Sequence, residues 1–239
     1  ADRAKLTSVG ELTPEDLSLL EDKNLSAAQA VLEDCAALDL QIITLQDAAY
    51  PERLRHIPDP PAVLYVKGRL PALDLYPAVA VVGTRRPSAY GYFTAKKAGF
   101  QLASGGAIVV SGMAAGCDGA AAKGALLASK PTVAVLGGGV DVCYPEENRP
   151  LYEEIAKQGA LISECPPRTS ITKQSFPRRN RIISGLCHAV VVAEAPERSG
   201  ALITAEHALS QGRDVFAVPS NLDSPTGRGC NRLIQQGAQ

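Results

Sequence analysis

Between Pro166 and Cys187 the chain carries Arg168, Lys173, Arg178, Arg179 and Arg181 and no acid, a local charge of +5 in a protein whose formal net charge is −1. Within that stretch, Lys173-Gln174-Ser175-Phe176-Pro177-Arg178-Arg179-Asn180-Arg181 sets an aromatic ring among cations. Guanidinium and ammonium groups suit a phosphate backbone, and a flat apolar ring suits an unstacked base. Phe176 is one of 4 phenylalanines and precedes a proline, which disfavours helix, so it is placed in a loop. A loop Phe beside four positive charges is a stacking platform for single-stranded nucleic acid. Two plainer readings compete: an apolar anchor that pins a loop, and a basic run that is merely solvated.

A second group of residues lies in small or polar sequences that follow apolar runs. These are Val82-Gly83-Thr84-Arg85-Arg86, Ser111-Gly112-Met113-Ala114-Ala115-Gly116, Gly137-Gly138-Gly139-Val140-Asp141 and Arg198-Ser199-Gly200-Ala201. Glycine lets a backbone N–H approach an anion closely, and a following helix N-terminus favours negative charge. One such turn is explained as well by tight chain reversal. All of them at one edge of one sheet make a phosphate-sized pocket, with Arg85 as the charged partner. The dinucleotide fingerprint is missing, because Gly83 is next followed by glycine at Gly91 and no acid is placed for a ribose. No Gly-Lys-Ser/Thr of a P-loop occurs either. NAD and ATP are therefore excluded as expectations, and no cofactor is called for.

The remaining reactive side chains are scattered. His56, His188 and His207 stand alone, and His188, opening an apolar run, reads as structural. Asp118 reads as the cap of the helix that follows Gly116 rather than as a catalyst. Asp141, Glu164, Glu194 and Glu206 show no pairing that would share a metal, and no Ser-His-Asp or Cys-His arrangement stands out. The six cysteines, at 35, 117, 143, 165, 187 and 230, include no Cys-x-x-Cys pair and fit neither zinc nor a disulfide framework. They read as buried reduced thiols, which places the protein in the cytoplasm. Apolar residues make up 46% and charged residues 21% of 239, ordinary for a soluble domain, so any polyanion site is a local patch. No signal peptide opens the chain and no apolar run approaches the roughly 18 residues of a membrane span.

These residues need elements to hold them. Apolar, β-branched runs at 78–83, 107–111, 132–137, 160–164, 189–194 and 215–219 are predicted strands buried on both faces of a parallel sheet. Helical stretches at 90–104, 116–128, 148–158 and 201–211 alternate with them, which gives βαβ units and a doubly wound α/β fold whose ligands sit beyond the carboxyl ends of the strands. Upstream, Thr13 before Pro14-Glu15-Asp16 opens one predicted helix, and Ser26 precedes an Ala-rich helix to Cys35. The run Ile57-Pro58-Asp59-Pro60-Pro61 marks a boundary, and Val63-Leu64-Tyr65-Val66 a lead-in strand. The predicted division is a small helical domain over 1–48, a linker and lead-in strand over 49–77, and the main α/β domain over 78–239. The end of the chain, 221–239, with Leu233 and Ile234, is a candidate site for an apolar contact patch.

From about residue 40 onward the chain resembles the DprA/Smf family. The resemblance rests on Tyr50-Pro-Glu-Arg-Leu54, Asp59-Pro-Pro-Ala-Val-Leu-Tyr-Val-Lys-Gly68, Val81-Val-Gly-Thr-Arg85, Ser111-Gly-Met-Ala-Ala-Gly-Cys-Asp118 and Ala134-Val-Leu-Gly-Gly-Gly-Val-Asp141 with Tyr144-Pro145 and Asn148. Its most specific parts are Phe176-Pro-Arg-Arg-Asn-Arg-Ile-Ile-Ser-Gly-Leu186, Ser199-Gly-Ala-Leu-Ile-Thr204 and Gly212-Arg-Asp-Val-Phe-Ala-Val-Pro219. It implies an extended Rossmann-like domain, mostly parallel, with a small N-terminal helical (SAM-like) domain. It implies a protein that binds single-stranded DNA, forms homodimers and helps load the RecA recombinase during natural transformation, without being an enzyme. Carried over by residue, the DNA pocket comprises Gly83, Thr84, Arg85, Ser111, Gly112, Lys173, Phe176, Arg178, Arg179, Asn180, Arg181, Ser199 and Gly200.

Two positions depart from the family. Ala122 stands where His is common, which removes an acid–base group from that helix, and Ser220 stands where Gly is common after Pro219. Many members also carry a C-terminal winged-helix-like domain that these residues do not include. The competing reading is an enzyme resembling the nucleotide phosphoribohydrolases of related Rossmann-like fold, with Arg181 and Glu206 as its working pair. Their Pro-Gly-Gly-x-Gly-Thr-x-x-Glu signature is absent here, where the chain reads Glu194-Ala-Pro-Glu-Arg-Ser-Gly-Ala-Leu-Ile-Thr-Ala-Glu206. A nucleotide or phosphate sensor without a DNA role is a third possibility.

Overall fold

A computed structural model describes Thr13 and residues 24–239. The helix expected to open at Thr13 falls outside the described residues. The first described element is α1 (Ser26–Ala37), and it is the Asn24 side chain, not Ser26, that meets the helix start, accepting from the Ser26 N–H at 3.0 Å. Strand β1 (Gln41–Thr44) follows, then the single turn α2 (Glu52–Arg55) and strand β2 (Val63–Gly68). From there strand and helix alternate: β3 (Ala78–Val82), α3 (Ala89–Ser104), β4 (Ile108–Ser111), α4 (Cys117–Leu127), β5 (Thr132–Val135), α5 (Arg149–Gln158) and β6 (Ala160–Ser163). The chain closes with α6 (Ser175–Gly185), β7 (Ala189–Val192), α7 (Gly200–Ser210), β8 (Asp214–Ala217) and α8 (Arg228–Gln235).

The strands form one sheet in the order β1-β2-β6-β5-β4-β3-β7-β8. From β6 to β8 every pairing is parallel, while β2 runs antiparallel to β6 (Tyr65 opposite Ser163) and β1 antiparallel to β2. This is the expected α/β, mostly parallel, doubly wound architecture. The six runs predicted as strands form β3 to β8. Their alternate residues face opposite cores, as the two-residue period of a strand requires. Ala80, Val82, Val110, Val135 and Ile162 pack with Ile182, Ile183, Ala201 and Ala205 on one side. Val81 and Val109 meet Ala95, Ala103 and Ala120 on the other, where Ala134 and Leu161 meet Ala122 and Ile155.

The sheet runs across the boundary expected from sequence. Strand β1 lies within 1–48, yet Ile43 shares one core with Tyr50, Leu54, Ile57, Leu64 and Val66 and with the strands of the main domain. The prolines of 57–61 do not uncouple these parts, because the Tyr50 hydroxyl donates to the Pro61 carbonyl at 2.8 Å and ties the segment to its own start. At the other end Leu233 packs against the same core, which leaves Ile234 as the partly exposed member of the expected contact patch. Ser220, the departure from the family, is held by Asn231, whose side chain bonds both its N–H and its carbonyl at 2.9 Å. All six cysteines are free thiols, five of them buried. No described helix is long and apolar enough to cross a membrane.

Candidate nucleic-acid interface

In the strand order the chain winds outward in two directions from the middle, through β4, β5 and β6 on one side of β3 and through β7 and β8 on the other. The turns that leave β3 and β7 must therefore diverge to opposite faces, which opens a crevice at their carboxyl ends. A cleft of about 680 Å³ lies there. The β3 turn contributes Gly83, Thr84, Arg85 and Arg86, the β7 turn and the start of α7 contribute Arg198, Ser199 and Gly200, the segment leading into α6 contributes Lys173, and α6 itself contributes Phe176, Arg179 and Asn180. Among the described residues, five cations line it, Arg85, Arg86, Lys173, Arg179 and Arg198, against the single carboxylate of Asp118.

Phe176 lies in the first turn of α6, not in a loop. Proline at the third helical position is tolerated because the first N–H groups of a helix have no intrahelical acceptor to lose. The first donor that has one is Arg178, whose N–H reaches the Gln174 carbonyl. The helix entry is fixed by Ser175, whose hydroxyl accepts from the Thr172 N–H at 3.1 Å. So placed, the Phe176 ring meets Tyr144 at 5.6 Å between centroids, and the Arg85 guanidinium lies 4.4 Å from its centroid. Arg85 is exposed and Phe176 half-buried, so a ring, a planar cation and a second ring share one wall of the cleft. A base can stack on such a wall while its phosphate meets the cations.

The glycine turns do a different task from the one expected. Asp118 does not cap its own helix. Its carboxylate accepts from the Gly83 N–H at 3.3 Å and the Gly112 N–H at 2.9 Å, latching the ends of β3 and β4 together. These amides are committed to a protein carboxylate and do not face a ligand. A Cβ at Gly112 would run into the Arg179 guanidinium and Asp118, and one at Gly83 into Cys117, so close approach explains both glycines. Gly138 and Gly139 similarly admit the 166–171 segment, against Ile171 and the Arg168 N–H. The Ser199-Gly200 turn keeps its expected geometry: Ser199 caps α7, accepting from the Ala201 N–H at 3.3 Å, and aims that helix N-terminus at the cleft.

The basic run divides sharply by partner. Arg179 is buried, donating to the carbonyls of Gly112 (2.9 Å) and Val135 beneath the cleft floor. Burial pushes its guanidinium down to about 10 and pushes the Asp118 carboxyl up, each relieved by the charge of the other. Arg181 is also buried, forks onto Glu164 at 3.0 and 2.7 Å, and reaches Asp59 at 2.9 Å. Arg178 is exposed and pairs with the same Glu164 at 3.2 Å. Asn180 donates to the Gly200 carbonyl at 3.2 Å, joining α6 to the α7 turn. Of the expected set, Gly83, Thr84, Arg85, Lys173, Phe176, Arg179, Asn180, Ser199 and Gly200 line the cleft, whereas Ser111, Gly112, Arg178 and Arg181 do not. Ser111 is fully buried, its hydroxyl accepting from the Met113 N–H at 3.2 Å.

Sequence reasoning left out Arg86, Tyr144 and Arg198. Each carried a signal: Arg86 and Arg198 stand in strand-end turns, and Tyr144 follows the third glycine turn at the same sheet edge. The pair cast for an enzyme is not assembled in the cleft. Arg181 is occupied by Glu164 and Asp59, and Glu206 is exposed on α7 outside the lining.

Strand order, helices on both faces and a cation-lined cleft at the crossover define a Rossmann-like α/β protein. The chain belongs to the DNA recombination-mediator protein A family, whose profile matches residues 41–239. It is 44% identical over 211 residues to Protein Smf of Synechocystis, a match covering 87% of this chain and 53% of that protein, so the chain spans about half the length of that relative. The X-ray structure of DNA processing protein A from Streptococcus pneumoniae is similar with a TM-score of 0.80 and 38% identity, covering 99% of this chain and 86% of that one. DNA processing protein A from Helicobacter pylori, whose structure concerns its single-stranded DNA binding mode, gives a TM-score of 0.75 and 33% identity over 83% of this chain and 90% of that one.

Proposed function

We propose that the cleft holds single-stranded DNA in the cytoplasm, without chemical turnover, by gripping phosphates with Arg85, Arg86, Lys173 and Arg198 and stacking bases on the Tyr144–Phe176 wall. The observation that carries this reading is the exposed Arg85 guanidinium 4.4 Å from the Phe176 ring, in a cleft with five cations and one buried carboxylate. A single strand offers both a phosphate and an unstacked π-face at each step, whereas a duplex hides its bases. The named binding mode of the Helicobacter pylori relative supports the same ligand class. Arg179 and Asp118 act as the floor that sets the cleft's shape, and Arg181 with Glu164 holds α6 in position. On this reading the protein pairs with a second copy and passes its strand to a RecA-type recombinase, as the family's description as recombination mediators suggests.

The test is fluorescence anisotropy with a labelled oligo-dT against a duplex of equal length, at two salt concentrations. Tight binding that prefers the single strand and weakens with salt is expected. Equal affinity for duplex, or salt-independent binding, contradicts the reading. Sedimentation velocity of the free protein tests the pairing, and a monomer at all concentrations rejects it.

A further inference from the structure

We infer that the outer face of α3 and α4 is a second contact surface for the single strand, along which DNA leaving the cleft continues. The inference rests on the cleft reading above and extends it to a longer ligand.

Charge is the first observation. Residues 84–131 hold Arg85, Arg86, Lys96, Lys97, Lys123 and Lys130, and their one acid is Asp118, which is buried in its latch. This stretch thus presents cations alone to solvent, in a chain where acids outnumber bases overall. Exposure is the second. Gly91, Ala95, Gly99 and Ala103 form the buried stripe of α3 at four-residue spacing, which turns Phe93, Lys97 and Phe100 outward together. Phe93 is 66% exposed and Phe100 44%, and Tyr90, one turn nearer the cleft, is 53% exposed. Large rings left in water at this density mark a surface that meets something.

The two helices pack tightly enough to make one surface. A Cβ at Gly99 would meet the carbonyl of Ala121, and one at Gly124 would come within 2.8 Å of the Phe100 N–H nitrogen. Phe100 therefore borders α4 where that helix exposes Lys123 and Leu127. Both helices start at the cleft rim: α3 follows the Arg85-Arg86 turn, and α4 begins beside Asp118. A strand that leaves the cleft past Arg86 meets rings and lysines over the length of α3, about 24 Å for 16 residues. Alternating aromatic rings and cations on two helices that themselves expose no acid is the composition that binds a single strand irrespective of sequence. A second copy of this chain is the poorer occupant, because a two-fold contact would set Lys97 and Phe93 of both copies against each other and juxtapose like charges.

The test compares an oligo-dT of about 5 nucleotides, which the cleft alone accommodates, with one of about 25. The variants are Phe93→Ala/Phe100→Ala and, separately, Lys97→Gln, which changes one exposed side chain and keeps the test valid if the double variant melts early. The double variant is expected to bind the long strand about fivefold or more weakly and the short strand as the wild type does. Lys97→Gln is expected to lower the salt slope by about 0.7 for the long strand only. Unchanged long-strand affinity and slope would overturn the inference, as would a change confined to the sedimenting mass of the free protein. If the wild type binds neither length, the cleft reading fails first and takes this surface with it; if it binds both and the variants match it, only the second surface fails.

Discussion

The arginines of the 178–181 run carry the same charge but do different work, and their partners decide which. Arg181 is buried in a fork with Glu164, so Arg181→Ala leaves that largely buried carboxylate with only the exposed Arg178 as its cationic partner. We expect about 1–3 kcal/mol of destabilisation, read as a lower denaturant midpoint, with little change in the salt slope of DNA binding in the folded protein. Arg85→Ala is the converse case. Its side chain is exposed and forms no ion pair with a carboxylate among the described residues, so stability should hold while the salt slope flattens by about 0.7. An unchanged slope would remove Arg85 from the phosphate contacts. Phe176→Ala should weaken binding by about 1–3 kcal/mol, the worth of one base–aromatic stack, and unchanged affinity would return the ring to a purely structural role.

At the scale of elements, close approach explains the glycines that follow β3 and β4: Cys117 leaves no room for a Cβ at Gly83, and Arg179 with the Asp118 latch leaves none at Gly112. Gly112→Ala drives a methyl group into Arg179 and Asp118, and we expect about 1–3 kcal/mol of lost stability by thermal melting. A melt within error of wild type would show that the latch relaxes freely. Strands and their alternating helices were legible in the sequence because runs such as 132–135 and 160–163, buried on both faces, must be nearly all apolar. Helix α6 was not, since Phe176-Pro177 read as a loop and the rule against helix before proline yields in a first turn, where no hydrogen bond is forfeited. Nor was the fate of Arg179 and Arg181. A run of arginines reads as solvated by default, and only the fold brings Glu164, Asp59 and the Gly112 carbonyl to them. Arg85, Lys173 and Phe176 were legible because their chemistry does not depend on a distant partner.

The whole molecule is near neutral yet concentrates positive charge at one edge of its sheet. The crossover between β3 and β7 makes the cleft, and the β1–β2 pair extends the same core well outside it. If single-stranded DNA lies in that cleft, photo-crosslinking of bound oligo-dT, followed by mass spectrometry of the modified peptides, should give crosslinks at Tyr144 or Phe176 in the wild type, lost on competition with unlabelled single strand. Crosslinks confined to the opposite edge of the sheet, around His188 and Arg213, with none on the Tyr144–Phe176 wall, would contradict it.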